Sequence, residues 1–292
     1  MGSRILVTGA LGNVGAEVVR QLQMLAKAAT ASQQKIRVAD LNEGELKRRF
    51  GASVDSVRFD FSEPETFAQT FEGIEKMFLI RPPQISNVRR DMFPAIDAAK
   101  RLGVKHVVFL SLIGIEGNRF VPHYKVETYL KAKSFQTTFL RCSFFMQNLN
   151  TTHRDEIKDR DEIFVPVGNA RTSFIDVRDI GAVAARCLSE HGHAGRNYDL
   201  TGREALDYWQ VAQILSETLG RPIMYRNPNP VSFLIETLRR NTRISYALVV
   251  TGLYLSTRFG IAKAVTDEVE RLTGRKPISF KQYTEDYKEA WL

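Results

Sequence analysis

The sequence has few cysteines, no long apolar run and no recognisable leader. Only two cysteines occur in 292 residues, Cys142 and Cys187, which excludes a disulfide framework and predicts buried, reduced thiols. The longest apolar stretch, 246–255, is interrupted by a threonine and a glycine and is too short to span a bilayer. A strand pattern begins by Arg4, which leaves no room for a signal peptide. We therefore expect a soluble cytoplasmic protein without membrane association.

A contiguous basic surface is also missing. The formal net charge is +8, from 41 basic and 33 acidic residues, but the basic doublets at 48–49, 89–90 and 239–240 are scattered and lie near acids. Nucleic-acid binding needs a contiguous basic stripe, ideally with aromatic platforms. We expect solvated helix faces instead. The five histidines have no carboxylate or cysteine at ligand spacing, so no metal site is predicted.

Short apolar runs alternate with amphipathic segments through the first half of the chain. Strand patterns occur at 5–7, 36–39, 54–60, 77–80, 107–110 and 138–140. Helical patterns lie between them, as at 14–25, where apolar residues recur every three or four positions. This alternation predicts a doubly wound α/β fold, in which helices cover both faces of a parallel sheet.

The alternation loosens after Arg141. A mixed-charge connection at 151–162 is followed by a strand pattern at 163–167. A helical pattern at 180–188 and a strand pattern at 197–200 come next. From Pro228 onward the chain is helical and loop-rich, with no strand pattern. We predict a sheet domain over 1–150. Over 151–292 we predict the remaining strands and a smaller, mainly helical C-terminal lobe, intertwined with the first domain.

A glycine motif lies at the first strand-to-helix junction. Gly9, Gly12 and Gly15 form GxxGxxG directly after the first strand pattern and before the first helical pattern. Glycines at these positions allow a tight turn that brings backbone N–H groups and a helix N-terminus close to a pyrophosphate. The motif therefore predicts a dinucleotide-binding loop. The predicted contacts come from Gly9, Leu11, Gly12, Asn13, Val14 and Gly15.

The second strand pattern ends at an acid that favours NAD over NADP. Asp40 follows Gly15 by 25 residues and is placed to accept hydrogen bonds from a ribose diol. A 2′-phosphate about 4 Å from this carboxylate would be repelled by roughly 1 to 4 kcal/mol. Leu41 follows the acid, where NADP-binding proteins place an arginine. Lys47 and Arg48, on the next helical pattern, remain open as alternative 2′-phosphate ligands.

The ends of the third and fourth strand patterns supply further candidate contacts. Asp60 and Phe61 end the third pattern, where the acid can meet the adenine amino group or stabilise a turn. Ile80, Arg81 and Pro82 end the fourth, and their backbone is expected along the ribose and nicotinamide side. Arg81 is either a phosphate contact or an ordinary surface arginine.

Several motifs together resemble one family over nearly the whole chain. They lie at 7–15, 109–112, 123–127, 139–148, 174–181, 198–202 and 272–280. In these the chain resembles the NmrA-like atypical short-chain dehydrogenases/reductases, a group with quinone reductases, triphenylmethane reductase and redox-sensing regulators. The resemblance implies a Rossmann-type domain, NAD(P)(H) as cofactor and a small lobe over the nicotinamide. It also implies that Phe144, Phe145 and Asn148 line the substrate pocket.

The chain departs from the superfamily at the catalytic pair. Typical members have a tyrosine followed four residues later by a lysine, after a serine that ends the fifth strand. Ser111 is present, but alignment through Glu127 places His123 at the lysine position and Arg119 at the tyrosine position. No ammonium then lowers the pKa of a tyrosine from about 10. Epimerase and ordinary alcohol dehydrogenase activities are therefore disfavoured.

Two functions remain open from the sequence. In the first, the protein is an NAD(P)H-dependent oxidoreductase that reduces a small apolar acceptor such as a quinone or carbonyl compound. His123, with an ordinary pKa of about 6.5, would be the acid, and Ser111 or Tyr124 would orient a carbonyl oxygen. Alternatively, His123 hydrogen-bonds the nicotinamide ribose or Glu127. In the second, the protein is a non-catalytic redox sensor that binds NAD(P) and acts through a protein partner. A homodimer is open in both.

Overall fold

We describe a computed structural model of the protein, which places residues 4–28, 35–51, 54–119, 121–240 and 244–292. The strands are β1 (Arg4–Thr8), β2 (Lys35–Asp40), β3 (Asp55–Arg58), β4 (Lys76–Leu79), β5 (His106–Leu112), β6 (Gln136–Cys142), β7 (Glu162–Phe164), β8 (Arg196–Leu200) and β9 (Met224–Arg226).

The helices alternate with the strands in the first half of the chain and dominate its end. They are α1 (Asn13–Ala28), α2 (Glu43–Phe50), α3 (Phe67–Phe71), α4 (Val88–Asp91), α5 (Phe93–Arg101), α6 (Pro122–Ala132), α7 (Arg154–Arg160), α8 (Val177–Ser189), α9 (Tyr208–Leu219), α10 (Pro230–Arg239), α11 (Ile244–Arg258), α12 (Glu268–Thr273) and α13 (Phe280–Asp286).

Seven strands form the main sheet, in the order β3-β2-β1-β4-β5-β6-β8. The pairs β2–β3, β1–β2, β1–β4 and β4–β5 are parallel. In the central strand, Val7 lies opposite Val38 on one side and Phe78 on the other. Strand order reverses at β1, because the chain moves outward through β2 and β3 and then returns to β4. The carboxyl ends of β1 and β4 therefore flank the point where doubly wound sheets bind ligands.

The chain divides into two compact units. The first contains Met1–Arg141 and Val177–Asp199, so α8 and β8 belong to the same unit as the first six strands. Its core includes fully buried residues of the central strands, such as Phe109 and Phe139. Helix α8 packs on α1 at Gly181, where a Cβ atom would lie 3.0 Å from the backbone carbon of Glu17.

The second unit contains Cys142–Asp176 and Leu200–Leu292. Its own core gathers Tyr283 and Trp291 from the end of the chain, both fully buried. The indole N–H of Trp291 donates to the carbonyl oxygen of Leu149 at 3.0 Å. A short parallel pair, β7 and β9, gives this unit its own two-stranded sheet. Helix α9 begins with a capping box formed by Asp207 and Gln210.

Most predicted elements are present, and three differ. The predicted connection 151–162 contains α7, and β9 lies where the sequence pattern predicts no strand. The pattern of Val88, Met92, Ile96 and Ala99 predicts one helix that ends at Gly103. The structure has two helices there, because α4 ends before Met92 and Pro94 lies in the first turn of α5. Among the described residues, none of the helices combines the length and the apolarity that a membrane crossing requires.

Candidate functional site

Two glycines of the loop between β1 and α1 are required, one by its backbone conformation and one by lack of space. Gly9 has a φ of +62°, in the left-handed region that favours glycine. A Cβ atom on Gly15 would lie 2.1 Å from the carbonyl oxygen of Gly9, well inside van der Waals contact. The amide of Gly12 donates to the same oxygen at 3.1 Å. The glycine spacing therefore folds the backbone into a compact turn at the start of α1.

The N-terminus of α1 is suited to an anion. Its first turn, which begins at Asn13, contains no acidic side chain. The amide of Ala16 donates to the carbonyl oxygen of Gly12 at 2.9 Å, so regular helical bonding starts directly after the loop. The partial positive charge of a 16-residue helix is thus directed at the glycine loop. These features fit the diphosphate of a dinucleotide.

Asp40 contacts the glycine loop directly. One carboxylate oxygen accepts the amide of Leu11 at 2.9 Å, and the other accepts the amide of Leu41 at 2.8 Å. A carboxylate has about four lone-pair directions, so both oxygens keep capacity for further donors such as a ribose diol. The acid therefore holds the loop in place and presents acceptors beside it.

An arginine that the sequence argument did not select also contacts this loop. Nη1 of Arg49 donates to the carbonyl oxygen of Leu11 at 2.8 Å. The two basic residues that the sequence left open are instead paired along α2: Lys47 with Glu43, and Arg48 with Glu45. All three basic residues are exposed. Arg49 differs from Lys47 and Arg48 in that the packing of α2 brings it to the loop, and residue spacing in the sequence does not reveal this packing.

Asp60 stabilises the turn that follows β3. Its Oδ1 accepts the amide of Ser62 at 2.8 Å and the Ser62 hydroxyl at 2.6 Å. The neighbouring Phe61 is buried against Phe59, with ring centroids 4.6 Å apart. This geometry matches the turn-stabilising alternative, and a contact of Asp60 with adenine remains a prediction.

The end of β4 is joined to the end of β1. The hydroxyl of Thr8 donates to the carbonyl oxygen of Phe78 at 3.0 Å and accepts the amide of Ile80 at 3.1 Å. The side chain of Ile80 then lies against Gly9, 3.5 Å from where a Cβ would stand. Thr8 was not selected from the sequence, although it directly precedes the glycine motif.

Arg81 organises the loop after β4. Its Nη1 donates to the carbonyl oxygens of Pro82 at 2.9 Å, Pro83 at 3.3 Å and Ile85 at 2.7 Å. Burial lowers the pKa of Arg81 to about 10, so the guanidinium is charged at neutral pH. The side chain is therefore a partly buried cation that shapes the backbone beside the glycine loop, which an ordinary surface arginine does not do.

The surroundings of His123 disfavour the imidazolium form, and a catalytic role of this residue remains a prediction. Burial, together with the charge of Arg81, lowers the pKa of His123 to about 3. The ring is therefore neutral at pH 7. Its Nε2 accepts a hydrogen bond from Nε of Arg81 at 3.4 Å, and its Nδ1 is buried without a partner among the described residues.

The hydroxyl of Ser111 is hydrogen-bonded to another side chain of the protein. Its side chain is fully buried, and its hydroxyl donates to Oε1 of Glu127 at 2.6 Å. Arg141 donates to both oxygens of Glu127, at 3.2 and 2.8 Å, and also pairs with Glu116. Burial raises the pKa of Glu127, and the hydrogen bond from Ser111 opposes this rise. The hydroxyl proton of Ser111 is thus donated to a buried ion-pair network, and a contact of Ser111 with a substrate carbonyl remains a prediction.

Two further predicted catalytic residues, His123 and Tyr124, lie on α6. The carboxylate of Glu127 is taken by Ser111 and Arg141, and the hydrogen bond that His123 makes is with Arg81. Tyr124 lies half-buried in the first turn of α6. A contact between Tyr124 and a substrate carbonyl remains a prediction.

The three predicted pocket residues lie in the second unit. The ring of Phe144 stacks on Tyr254, with centroids 5.7 Å apart. Phe145 forms a parallel bridge with Ile175, and Asn148 is half-buried in the short helix that follows. Their backbone is fixed by local hydrogen bonds, and their role in a substrate pocket remains a prediction.

A buried polar cluster adjoins Phe144 that the sequence did not reveal. The hydroxyl of Tyr254 lies 2.6 Å from Nε2 of His153, and Nδ1 of His153 lies 3.1 Å from Glu156. Glu156 also pairs with Arg240. Burial raises the pKa of Tyr254 well above its ordinary value. The cluster links α7, α10 and α11 and stabilises the second unit.

The residues of the first unit fit a dinucleotide. The glycine loop is a compact turn with no space for a Cβ atom at Gly15, Asp40 presents acceptors beside it, and His123 has a buried ring nitrogen without a partner among the described residues. A metal centre is not indicated: within the described ranges, no three residues among histidine, cysteine, aspartate and glutamate are grouped to hold an ion. Cys142 and Cys187, both described, are buried and not joined in a disulfide.

Comparison with known proteins identifies relatives of the whole chain. The model of the NmrA-like family matches residues 1–284. The NAD(P)H azoreductase of Xenophilus azovorans is 31% identical over 303 residues, which cover 98% of this chain and 99% of that protein. The Prestalk A differentiation protein A of Dictyostelium discoideum is 28% identical over 283 residues, covering 97% and 91%.

A solved structure has the same fold. The NADPH-dependent quinone oxidoreductase of Escherichia coli, in complex with NADPH, superposes with a TM-score of 0.85 at 22% identity. The match covers 97% of this chain and 99% of that one. The predicted doubly wound, Rossmann-type α/β fold with a helical C-terminal portion is thereby confirmed.

Proposed function

Because the chain belongs to the NmrA-like family, we propose that it is an NAD(P)H-dependent oxidoreductase that reduces a small apolar acceptor. The relatives support this class of reaction, since one is named an azoreductase and another a quinone oxidoreductase. The observation that supports the proposal is the compact glycine loop before α1, in which Gly9 has a left-handed backbone and a Cβ atom at Gly15 would lie 2.1 Å from the carbonyl oxygen of Gly9.

The chain's own residues account for cofactor binding. The loop amides and the N-terminus of α1 hold the diphosphate, and Asp40 accepts the hydroxyls of the adenosine ribose. A bound dihydronicotinamide supplies a hydride. The protein orients the acceptor and excludes water from it. Hydride transfer to a quinone gives a hydroquinone anion, which takes one proton from solvent on release, so the reaction does not require the tyrosine–lysine pair that the chain lacks.

We further propose that NAD(H) binds more tightly than NADP(H). Asp40 already lies 2.9 Å from the amide of Leu11, so a 2′-phosphate at this edge would approach a carboxylate. Repulsion of roughly 1 to 4 kcal/mol corresponds to one to three decades in affinity. Arg49, which contacts the same residue through its carbonyl oxygen, provides a positive charge that limits the difference.

Steady-state oxidation of NADH with a panel of acceptors tests the proposal. The panel contains tetramethyl-1,4-benzoquinone, an azo dye and a simple aliphatic ketone. We expect turnover with the quinone or the dye and none with the ketone, whose alkoxide product needs an acid at the site. If the protein binds NADH but none of the acceptors supports NADH oxidation, the reductase proposal is wrong and the non-catalytic redox sensor is favoured.

A further inference from the structure

The contact between Arg81 and His123 determines which ring nitrogen carries the proton. An arginine side chain can donate hydrogen bonds but cannot accept them. Nε2 of His123, which lies 3.4 Å from Nε of Arg81, must therefore present a lone pair. A neutral imidazole with its lone pair on Nε2 has its proton on Nδ1.

The resulting Nδ1–H group is a donor that lacks an acceptor. Nδ1 is buried, and none of the described residues hydrogen-bonds to it. Buried donors are nearly always paired, so an exception calls for an explanation such as a ligand. The ring contacts the guanidinium of Arg81 through Nε2, and its centroid lies 5.9 Å from that of the Phe109 ring. The donor is thus fixed in position before any ligand arrives.

A series of hydrogen bonds and neighbouring residues connects this donor to the proposed cofactor site. Arg81 follows Ile80, whose amide donates a hydrogen bond to the hydroxyl of Thr8 at 3.1 Å. Thr8 directly precedes the glycine loop. The pair Arg81–His123 therefore belongs to the carboxyl edge of β1 and β4, where doubly wound sheets bind ligands.

We propose that Arg81 is a positioning residue that fixes His123 as the Nδ1–H tautomer, and that this N–H donates a hydrogen bond to a carbonyl oxygen of the bound ligand. The inference rests on the proposed function for the identity of that ligand. Two sources offer the same chemistry: the carboxamide of the nicotinamide ring and the carbonyl oxygen of a quinone acceptor. His123 then serves as a neutral donor and transfers no proton.

Nuclear magnetic resonance of protein labelled with ¹⁵N-histidine tests the tautomer without any ligand. The two ring nitrogens of a neutral imidazole have well-separated ¹⁵N shifts, and the signals missing from His123→Phe assign the residue. At pH 7 we expect the proton on Nδ1 in the wild type and in Arg81→Lys, which keeps a donor. In Arg81→Met we expect a mixture of tautomers, whereas Arg101→Met, at an exposed arginine, leaves the spectrum unchanged. A proton on Nε2 in the wild type would overturn the inference.

Ligand titrations in the same experiment identify the acceptor. NAD⁺ alone and the dead-end pair of NAD⁺ with tetramethyl-1,4-benzoquinone are compared, since neither transfers a hydride. A downfield shift of the Nδ1 proton with NAD⁺ assigns the carboxamide, and a shift only after the quinone is added assigns the acceptor. If other resonances of the protein show that both ligands bind and the Nδ1 proton shifts in neither titration, the donor role is contradicted.

Affinity measurements with two variants separate this inference from the proposed function. His123→Asn places an amide N–H near the position of Nδ1, whereas His123→Phe keeps a ring without a donor. We expect about a tenfold weaker affinity for the assigned ligand in His123→Phe and near wild-type affinity in His123→Asn. Equal affinities refute the donor role and leave the proposed function standing. A wild type with the Nδ1–H tautomer that binds no dinucleotide refutes the proposed function alone.

Discussion

Individual residues differ in how much of their role the sequence reveals. The glycine loop is predictable because Gly9, Gly12 and Gly15 act through local backbone geometry, which residue spacing encodes. The state of His123 is not, because its pKa depends on burial and on Arg81, which is distant in the chain. Ser111 has the expected position at the end of β5 but donates to Glu127, and this pairing exists only in the folded structure.

Substitution of Gly15 by alanine tests the glycine loop most locally. A Cβ atom there would lie 2.1 Å from the carbonyl oxygen of Gly9, so the loop must open to accommodate it. We expect Gly15→Ala to weaken NADH binding at least tenfold, measured by quenching of protein fluorescence.

The matched control for this change is Gly117→Ala. No atom lies within 4 Å of a Cβ atom at Gly117, and its φ is outside the left-handed region. We expect wild-type affinity in this variant. Equal affinity in Gly15→Ala and Gly117→Ala would show that the loop does not hold the diphosphate.

The charge on Asp40 is expected to set cofactor preference. Asp40→Asn keeps one acceptor oxygen for the loop amide but removes the repulsion of a 2′-phosphate. The ratio of NADPH affinity to NADH affinity should rise about tenfold or more, because charges about 4 Å apart contribute roughly 1 to 4 kcal/mol. Glu75→Gln removes an exposed acid at the opposite, amino-terminal end of β4 and should leave the ratio unchanged. A ratio that is the same in all three proteins refutes the assignment.

At the scale of elements, the sequence predicts what local pattern determines. The central strands are continuous apolar runs, so their existence follows from the sequence, whereas their order in the sheet is seen only in the structure. Helix α7 and strand β9 were missed because α7 has a strongly charged sequence and β9 has only three residues, Met224–Arg226. The pairing of β9 with β7, far back in the chain, depends on tertiary contacts that no local pattern contains.

The close packing of α1 and α8 gives a prediction at this scale. A Cβ atom at Gly181 would lie 2.5 Å from the side chain of Glu17 and 3.0 Å from its backbone carbon, so the two helices must separate. We expect Gly181→Ala to lower the free energy of unfolding by about 1 to 3 kcal/mol, measured by urea denaturation.

A glycine in another helix provides the control. Gly252, in α11, has open space where a Cβ atom would stand. Gly252→Ala should therefore keep or raise stability, by up to about 1 kcal/mol. If both variants have the stability of the wild type, the contact between α1 and α8 is looser than the structure shows.

For the whole molecule, buried histidines link stability to pH. Burial, with a smaller effect of Lys76, lowers the pKa of His106 to about 4, and Nε2 of this ring lies 2.8 Å from the Thr138 hydroxyl. The folded state resists protonation that the unfolded chain accepts near pH 6.5. Stability from this group is therefore complete above pH 6.5 and is lost as the pH falls toward 4.

Urea denaturation at pH 7.5 and pH 4.5 measures this linkage. We expect the wild type to lose about 2 kcal/mol more than His106→Gln, which keeps a donor for Thr138 but cannot titrate. His191→Asn, at an exposed histidine, should behave as the wild type. If His106→Gln loses as much stability as the wild type between the two pH values, His106 is not the buried neutral group described above.

Calorimetric titration of the wild-type protein with NADH and NADPH tests the central claim most directly. We expect one site per chain and an affinity for NADH at least tenfold higher than for NADPH, because the loop binds the diphosphate and Asp40 accepts an unphosphorylated ribose. The absence of heat with either nucleotide at millimolar concentration would contradict the assignment of the glycine loop as a dinucleotide site.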